Sequence, residues 1–120
     1  MLKLFVDDIR NAPDDTWILE RTITGAIRKL SMMQFDVVSL DHDISLAVKV
    51  GLIYRPFPCD ETYEPVARYL ALMPEDTKPK SIILHTANPP AAEKMAYILR
   101  HAGFDDIKIQ LSKPAFRNKK

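Results

Sequence analysis

A chain of 120 residues and 13.7 kDa is one domain's worth, able to bury roughly two-thirds of its unfolded surface. Its 17 Lys and Arg nearly balance 16 Asp and Glu, which excludes a polybasic nucleic-acid binder, and its single cysteine, Cys59, excludes a disulfide framework or a Cys-rich zinc site. Three glycines leave no Gly-rich phosphate cradle, and no run approaches the roughly 18 apolar residues of a membrane span.

The first apolar run, Leu2 to Val6, stops at Asp7-Asp8. It is too short for the apolar region of a signal peptide, so a cytoplasmic location is expected. Short apolar runs bounded by polar residues suit strands buried on both faces. Trp17 to Leu19 reads as a second strand. Thr24 is expected to cap a helix over Gly25 to Met33, with Ile27 and Leu30 facing inward. Asp36 to Leu40 is the clearest strand, stopped by Asp41-His42-Asp43. Residues 44–60 lack firm periodicity and contain Gly51, Pro56 and Pro58, which predicts a loop or lid with at most a helical turn.

Thr62 to Met73 has Val66, Tyr69, Leu70 and Met73 at helical spacing. A turn over Pro74 to Pro79 and a strand over Ser81 to Leu84 follow, closed by His85-Thr86-Ala87-Asn88-Pro89-Pro90. Ala91 to Ala102 predicts a helix with Met95, Ile98 and Leu99 inward and Gly103 as its C-cap. Ile107 to Leu111 is the last strand, before Ser112-Lys113-Pro114 and a basic tail over 115–120. The alternation predicts one domain over 1–120, an α/β fold with helices on both faces of a five-stranded parallel sheet. Ligands of such sheets collect at the carboxyl ends of the strands, where the polar residues of this chain also collect.

Asp7, Asp8, Asp41 and Asp43 form the main constellation. Four carboxylates on one rim repel, and a divalent cation resolves the repulsion. Hard oxygen ligands select Mg²⁺, with Mn²⁺ or Ca²⁺ as alternatives, over zinc. The structural alternative is that such acidic pairs cap helices or stay solvated. His42 and His85 are candidates for proton transfer near neutral pH, against an ordinary structural role for each. His101, in the last turn of a helix, is read as structural. Thr86, Asn88 and Lys113 offer a hydroxyl, an amide and a positive charge for phosphate oxygens, and Arg10 a bidentate clamp. Their structural alternatives are turn hydrogen bonds and solvated surface charge. No Ser-His-Asp spacing stands out, and Cys59 has no evident base beside it.

The acidic pair Asp7-Asp8, Asp41 ending the third strand, Thr86 ending the fourth and Lys113-Pro114 after the fifth resemble the receiver domain of two-component signalling. The resemblance implies a receiver/flavodoxin-like doubly wound, three-layer sheet, Mg²⁺ at the aspartates and Asp41 as a phosphoacceptor. Only about nine residues, including Pro13, separate the first two strands, whereas a parallel crossover takes a dozen or more. The first helix is therefore expected to be lost or reduced to one turn. Three further matches are more specific: Asp7-Asp8-Ile9-Arg10-Asn11-Ala12-Pro13, Leu40-Asp41-His42-Asp43 and His85-Thr86-Ala87-Asn88-Pro89. They resemble the divergent cyclic-phosphate processing receiver family, in the patterns D-D-x-R-x-x-P, L-D-H-D and H-[ST]-x-N-P.

The expectation is therefore a metal-dependent phosphoesterase-like domain acting on, or binding, a cyclic phosphate in a nucleotide or RNA end. Asp7, Asp8, Asp41 and Asp43 hold the ion. His42, His85 and Asp41 carry the chemistry, and Arg10, Thr86, Asn88 and Lys113 hold phosphate. Its partner is a phosphate-containing small molecule or nucleic-acid end, with no membrane. The alternatives are a signalling receiver phosphorylated on Asp41 and a non-catalytic binder of phosphorylated ligands. The near-neutral charge is itself a sum of unlike parts. Lys113, Arg117, Lys119 and Lys120 lie in the last eight residues, and without them 13 cations face 16 acids.

Overall fold

A computed structural model of the chain describes residues 1–44 and 62–111 in full, and the backbone of 46–50 and 53–57. Strand β1 (Lys3–Val6) lies between β2 (Ile18–Glu20) and β3 (Val37–Leu40). Strands β6 (Ser81–Thr86) and β7 (Ile107–Leu111) extend the same sheet. All four pairings are parallel, in the order β2-β1-β3-β6-β7. Counted within this sheet alone the order is 2-1-3-4-5, the flavodoxin- and receiver-like arrangement that the resemblance implies.

Three helices connect the strands: α1 (Ile23–Met32), α2 (Glu64–Leu72) and α3 (Pro89–His101). Each of their crossovers moves in the same direction across the sheet, and right-handed crossovers then place all three on one face. There Leu4, Val6, Val38, Leu40, Ile82 and Leu84 pack against Ala26, Leu30, Val66, Ala67, Leu70, Met95 and Leu99 in one core. The full burial of each such aliphatic side chain contributes roughly 1.5–3 kcal/mol relative to exposure. The connection from β1 to β2 runs the opposite way and would place its helix on the other face. It contains only bends and a turn, so the loss of the first helix is confirmed. Among the described residues, the outer layer expected on that second face is represented by this connection alone.

Local chemistry shifts several boundaries. Thr22, not Thr24, caps α1, its hydroxyl accepting from the Gly25 amide at 2.9 Å. Helix α3 starts at Pro89, whose missing N–H costs nothing in a first turn. It ends before Gly103, which has φ +99°, a left-handed conformation suited to glycine. Where the sequence predicts a loop or lid, β4 (Leu46–Val50) and β5 (Ile53–Phe57) pair as an antiparallel hairpin. Pro56 is tolerated because each of the two strands pairs on one side only. Cys59, Lys113, Pro114 and the basic tail lie outside the described residues. Among the described residues no helix is long and apolar enough to cross a membrane.

Candidate functional site

Register across the sheet aligns Val6, Leu40 and Leu84. The residues that follow them, Asp7, Asp41 and His85, therefore emerge side by side at the carboxyl edge. Asp7 and Asp41 are buried and Asp8 is half-buried. One carboxylate oxygen from each of the three lies within 4.8 Å of the others. The sequence-based set is thus brought together at Asp7, Asp8 and Asp41.

Asp7 is held on all sides. Its Oδ1 accepts from the backbone amides of Ile9 and Arg10, each at 2.9 Å, which folds the chain back after β1. Its Oδ2 accepts from Arg10 Nη1 at 3.1 Å and lies 3.0 Å from His85 Nε2. Burial disfavours the charged form of Asp7, but the His85 hydrogen bond and those from Ile9 and Arg10 outweigh it and lower its pKa to about 2. Asp41 has fewer donors: the His42 amide at 2.7 Å and Arg10 Nη1 at 3.2 Å. Burial, and then the charge of Asp7, push its pKa up to about 7. One guanidinium nitrogen therefore bridges the two buried carboxylates and offsets part of their repulsion.

His85 is buried, its ring stacked on Phe5 at 4.2 Å and 9°. Its Nδ1 lies 2.6 Å from Ser39 Oγ. In the neutral ring, Nε2–H donates to Asp7 and Nδ1 accepts from the Ser39 hydroxyl. A Ser39–His85–Asp7 chain thus exists in space although no sequence spacing suggests one. The available signal is a lone hydroxyl in the apolar run Val37-Val38-Ser39-Leu40. His42 stands apart from this chain. Its Nδ1 lies 2.8 Å from Asp43 Oδ1, on an exposed carboxylate. Asp43 is not among the three clustered carboxylates; it pairs with His42 and bridges by backbone to Thr62.

Thr86 and Asn88 form the turn into α3. The Thr86 hydroxyl accepts from the Asn88 amide at 3.2 Å, and Asn88 Oδ1 caps the helix through Ala91 N at 3.3 Å. Their structural alternatives are therefore realised. Lys113 lies outside the described residues.

Two supports are absent from the sequence-based set. Arg21 donates to the Arg10 carbonyl at 3.3 Å and to Asn11 Oδ1 at 3.2 Å, bracing the loop that carries Arg10. The buried Tyr63 hydroxyl donates to the Arg21 carbonyl at 2.5 Å. Burial and the nearby Asp8, Asp7 and Asp41 charges raise its pKa well above the usual phenol value, so it remains a donor.

Three clustered carboxylate oxygens are a hard donor set. Mg²⁺ is commonly held by a few carboxylates together with water, and three carboxylate oxygens within 4.8 Å of one another fit that description. Across residues 2–101 the chain matches the family described as the cyclic-phosphate processing receiver domain, and it belongs to that family. No curated protein matches it.

Proposed function

We propose that this member of the cyclic-phosphate processing receiver family is a metal-dependent phosphoesterase that binds and opens a cyclic phosphate in a nucleotide or at an RNA end. The observation that carries this reading is the Asp7–Asp8–Asp41 cluster, with Asp7 and Asp41 buried, beside Arg10. These three aspartates would hold a divalent ion, Mg²⁺ or Mn²⁺. When bound, such an ion neutralises phosphate charge and acidifies a water molecule.

The protein's own groups divide the remaining work. Arg10, already at the cluster, turns its guanidinium to the phosphate oxygens. His42, oriented by Asp43, gives or takes the proton of the cleaved ester. His85 has both ring nitrogens engaged and holds Asp7 in place, which makes it a positioning residue. Lys113 supplies a further phosphate contact. Thr86 and Asn88 fix the turn that closes this edge.

Purified protein given 2′,3′- and 3′,5′-cyclic nucleotides with Mg²⁺ or Mn²⁺ is expected to form a linear monophosphate. Asp41→Asn is expected to abolish the reaction, and His42→Ala to slow it by about 10²–10⁴. No product from any cyclic substrate overturns the reading; binding seen by calorimetry without turnover would make the domain a phosphate-ligand binder. A second reading rests on the position of Asp41, which directly follows β3 beside Asp7 and Asp8 as a phosphoacceptor would. A beryllofluoride or acetyl-phosphate adduct lost in Asp41→Asn, without turnover of cyclic nucleotides, would favour that receiver function.

A further inference from the structure

The face of the sheet away from the three helices holds a groove of about 220 Å³. Side-chain alternation sends Phe5, Ser39, Ile83 and His85 to this face, and they form its floor, with Gln110 from the edge strand beside them. The β1–β2 connection supplies the remaining wall through Arg10, Pro13 and Trp17. Trp17 meets Phe5 edge to face at 5.9 Å. The groove is thus walled by aromatic and apolar surface, with a few polar groups.

Its position makes it more than an apolar gap. Two of its lining residues, Arg10 and His85, are the same residues that contact Asp7, at 3.1 and 3.0 Å. A ligand in the groove therefore abuts the acidic cluster directly. We infer that this groove is a nucleobase subsite, which seats the base of a nucleotide whose phosphate lies at Asp7, Asp8 and Asp41. This inference rests on the reading of the acidic edge as a phosphate site, and it adds the place where the base of such a nucleotide sits. The chemistry matches. Phe5 is itself buried and stacked on His85, so the half-buried Trp17 ring, with Lys3 Nζ 4.8 Å from its centroid, is the aromatic surface offered to a base, a stacking contact contributing about 1–3 kcal/mol. The base also offers edge donors and acceptors that an exposed Gln110 amide can meet, as glutamine does with adenine. A cyclic phosphate on a compound without a base leaves these surfaces unused.

Trp17 is the chain's one tryptophan, so its emission reports on the groove. Adenosine, guanosine, cytidine and uridine, which carry no phosphate, are titrated into the full chain without metal. Ribose 5-phosphate serves as the control without a base. At least one nucleoside is expected to shift or quench Trp17 emission, and the control to leave it unchanged. Ile83→Phe, which fills the groove, is expected to weaken nucleoside binding about tenfold, the scale of one lost stacking contact. Gln110→Ala, at an exposed position, is expected to alter the preference among bases.

The outcomes separate this inference from the proposed function. Nucleoside binding that both variants weaken or re-rank, without turnover of cyclic nucleotides, leaves the subsite standing and overturns the phosphoesterase. Turnover of cyclic nucleotides with the same KM in the parent and in Ile83→Phe, and no nucleoside response at millimolar concentration, overturns the subsite and leaves the phosphoesterase standing. Quenching that neither variant changes places the nucleoside elsewhere and also overturns the subsite.

Discussion

The two faces of the central sheet are built from alternating residues of the same strands, yet they differ in kind. Leu4, Val6, Val38, Leu40, Ile82 and Leu84 point to the helices and are wholly buried. Their neighbours Phe5, Ser39 and His85 point the other way, where an aromatic ring, a hydroxyl and an imidazole form one bonded and stacked array. The helical face is apolar and its affinity for the core is non-directional. The second face instead relies on specific partners, because a buried polar group is costly unless it is hydrogen-bonded. Losing the first helix thus removes helical packing from one face, where Phe5, Ser39 and His85 are nonetheless buried among specific partners.

The sharpest way to break this comparison is to truncate adjacent residues that face opposite ways. Leu84→Ala is expected to cost about 2–5 kcal/mol in urea unfolding, as buried leucines do. Ile83→Ala, half-buried on the open face, is expected to cost less than about 1.5 kcal/mol. Equal losses would mean that the second face is as tightly packed as the first.

An intermediate effect comes from pH. Asp41 is protonated more readily in the folded chain, with its pKa raised from 3.8 to about 7. Its contribution to stability is therefore complete below about pH 4 and is lost as pH rises through 7, on the order of 4 kcal/mol without a divalent ion. Asp7 runs the other way: its contribution is present above its ordinary pKa and is lost as pH falls through about 2. Urea unfolding in EDTA at pH 5 and 8 should show the decline due to Asp41, and Asp41→Asn should flatten it. Mg²⁺ competes with that proton, so its affinity should rise about tenfold per pH unit below 7 and level off above. A decline that persists in Asp41→Asn would assign it to another group.

The smallest effect tests the helical layer at its edge. Thr22→Ala should destabilise by about 1 kcal/mol, the usual value of an N-cap. Thr24→Ala, on an exposed position inside α1, should lie within about 0.5 kcal/mol of the parent in either direction. The reverse order would return the cap to Thr24.

What was legible in the sequence follows the same division. Strand ends are read from abrupt changes in polarity, so the edge carrying Asp7, Asp8 and Asp41 was accessible, as were the sheet and the missing helix. Contacts between strands are a different matter. Ser39 and His85 are 46 positions apart, and only the strand register brings them together. Tyr63 and Arg21 meet for a similar tertiary reason, 42 positions apart. Asn88 was legible as polar, but its adoption by the α3 cap depends on where Pro89 starts the helix. The hairpin of β4 and β5 was hidden by its prolines and glycine, which read locally as breakers.

Arg10 gives the acidic edge a resident cation, its Nη1 lying within 3.2 Å of both buried carboxylates. Binding of the proposed metal ion there would consequently exchange one positive charge for another, and its affinity would measure the difference between the two. The displaced guanidinium does not leave the neighbourhood, because its backbone amide remains bonded to Asp7 Oδ1 and its carbonyl to Arg21. Arrival of the proposed ion and displacement of the guanidinium from the two carboxylates would then be one event. The anion-binding half of the site would become available only when the cation-binding half is filled, which imposes an order on the two ligands.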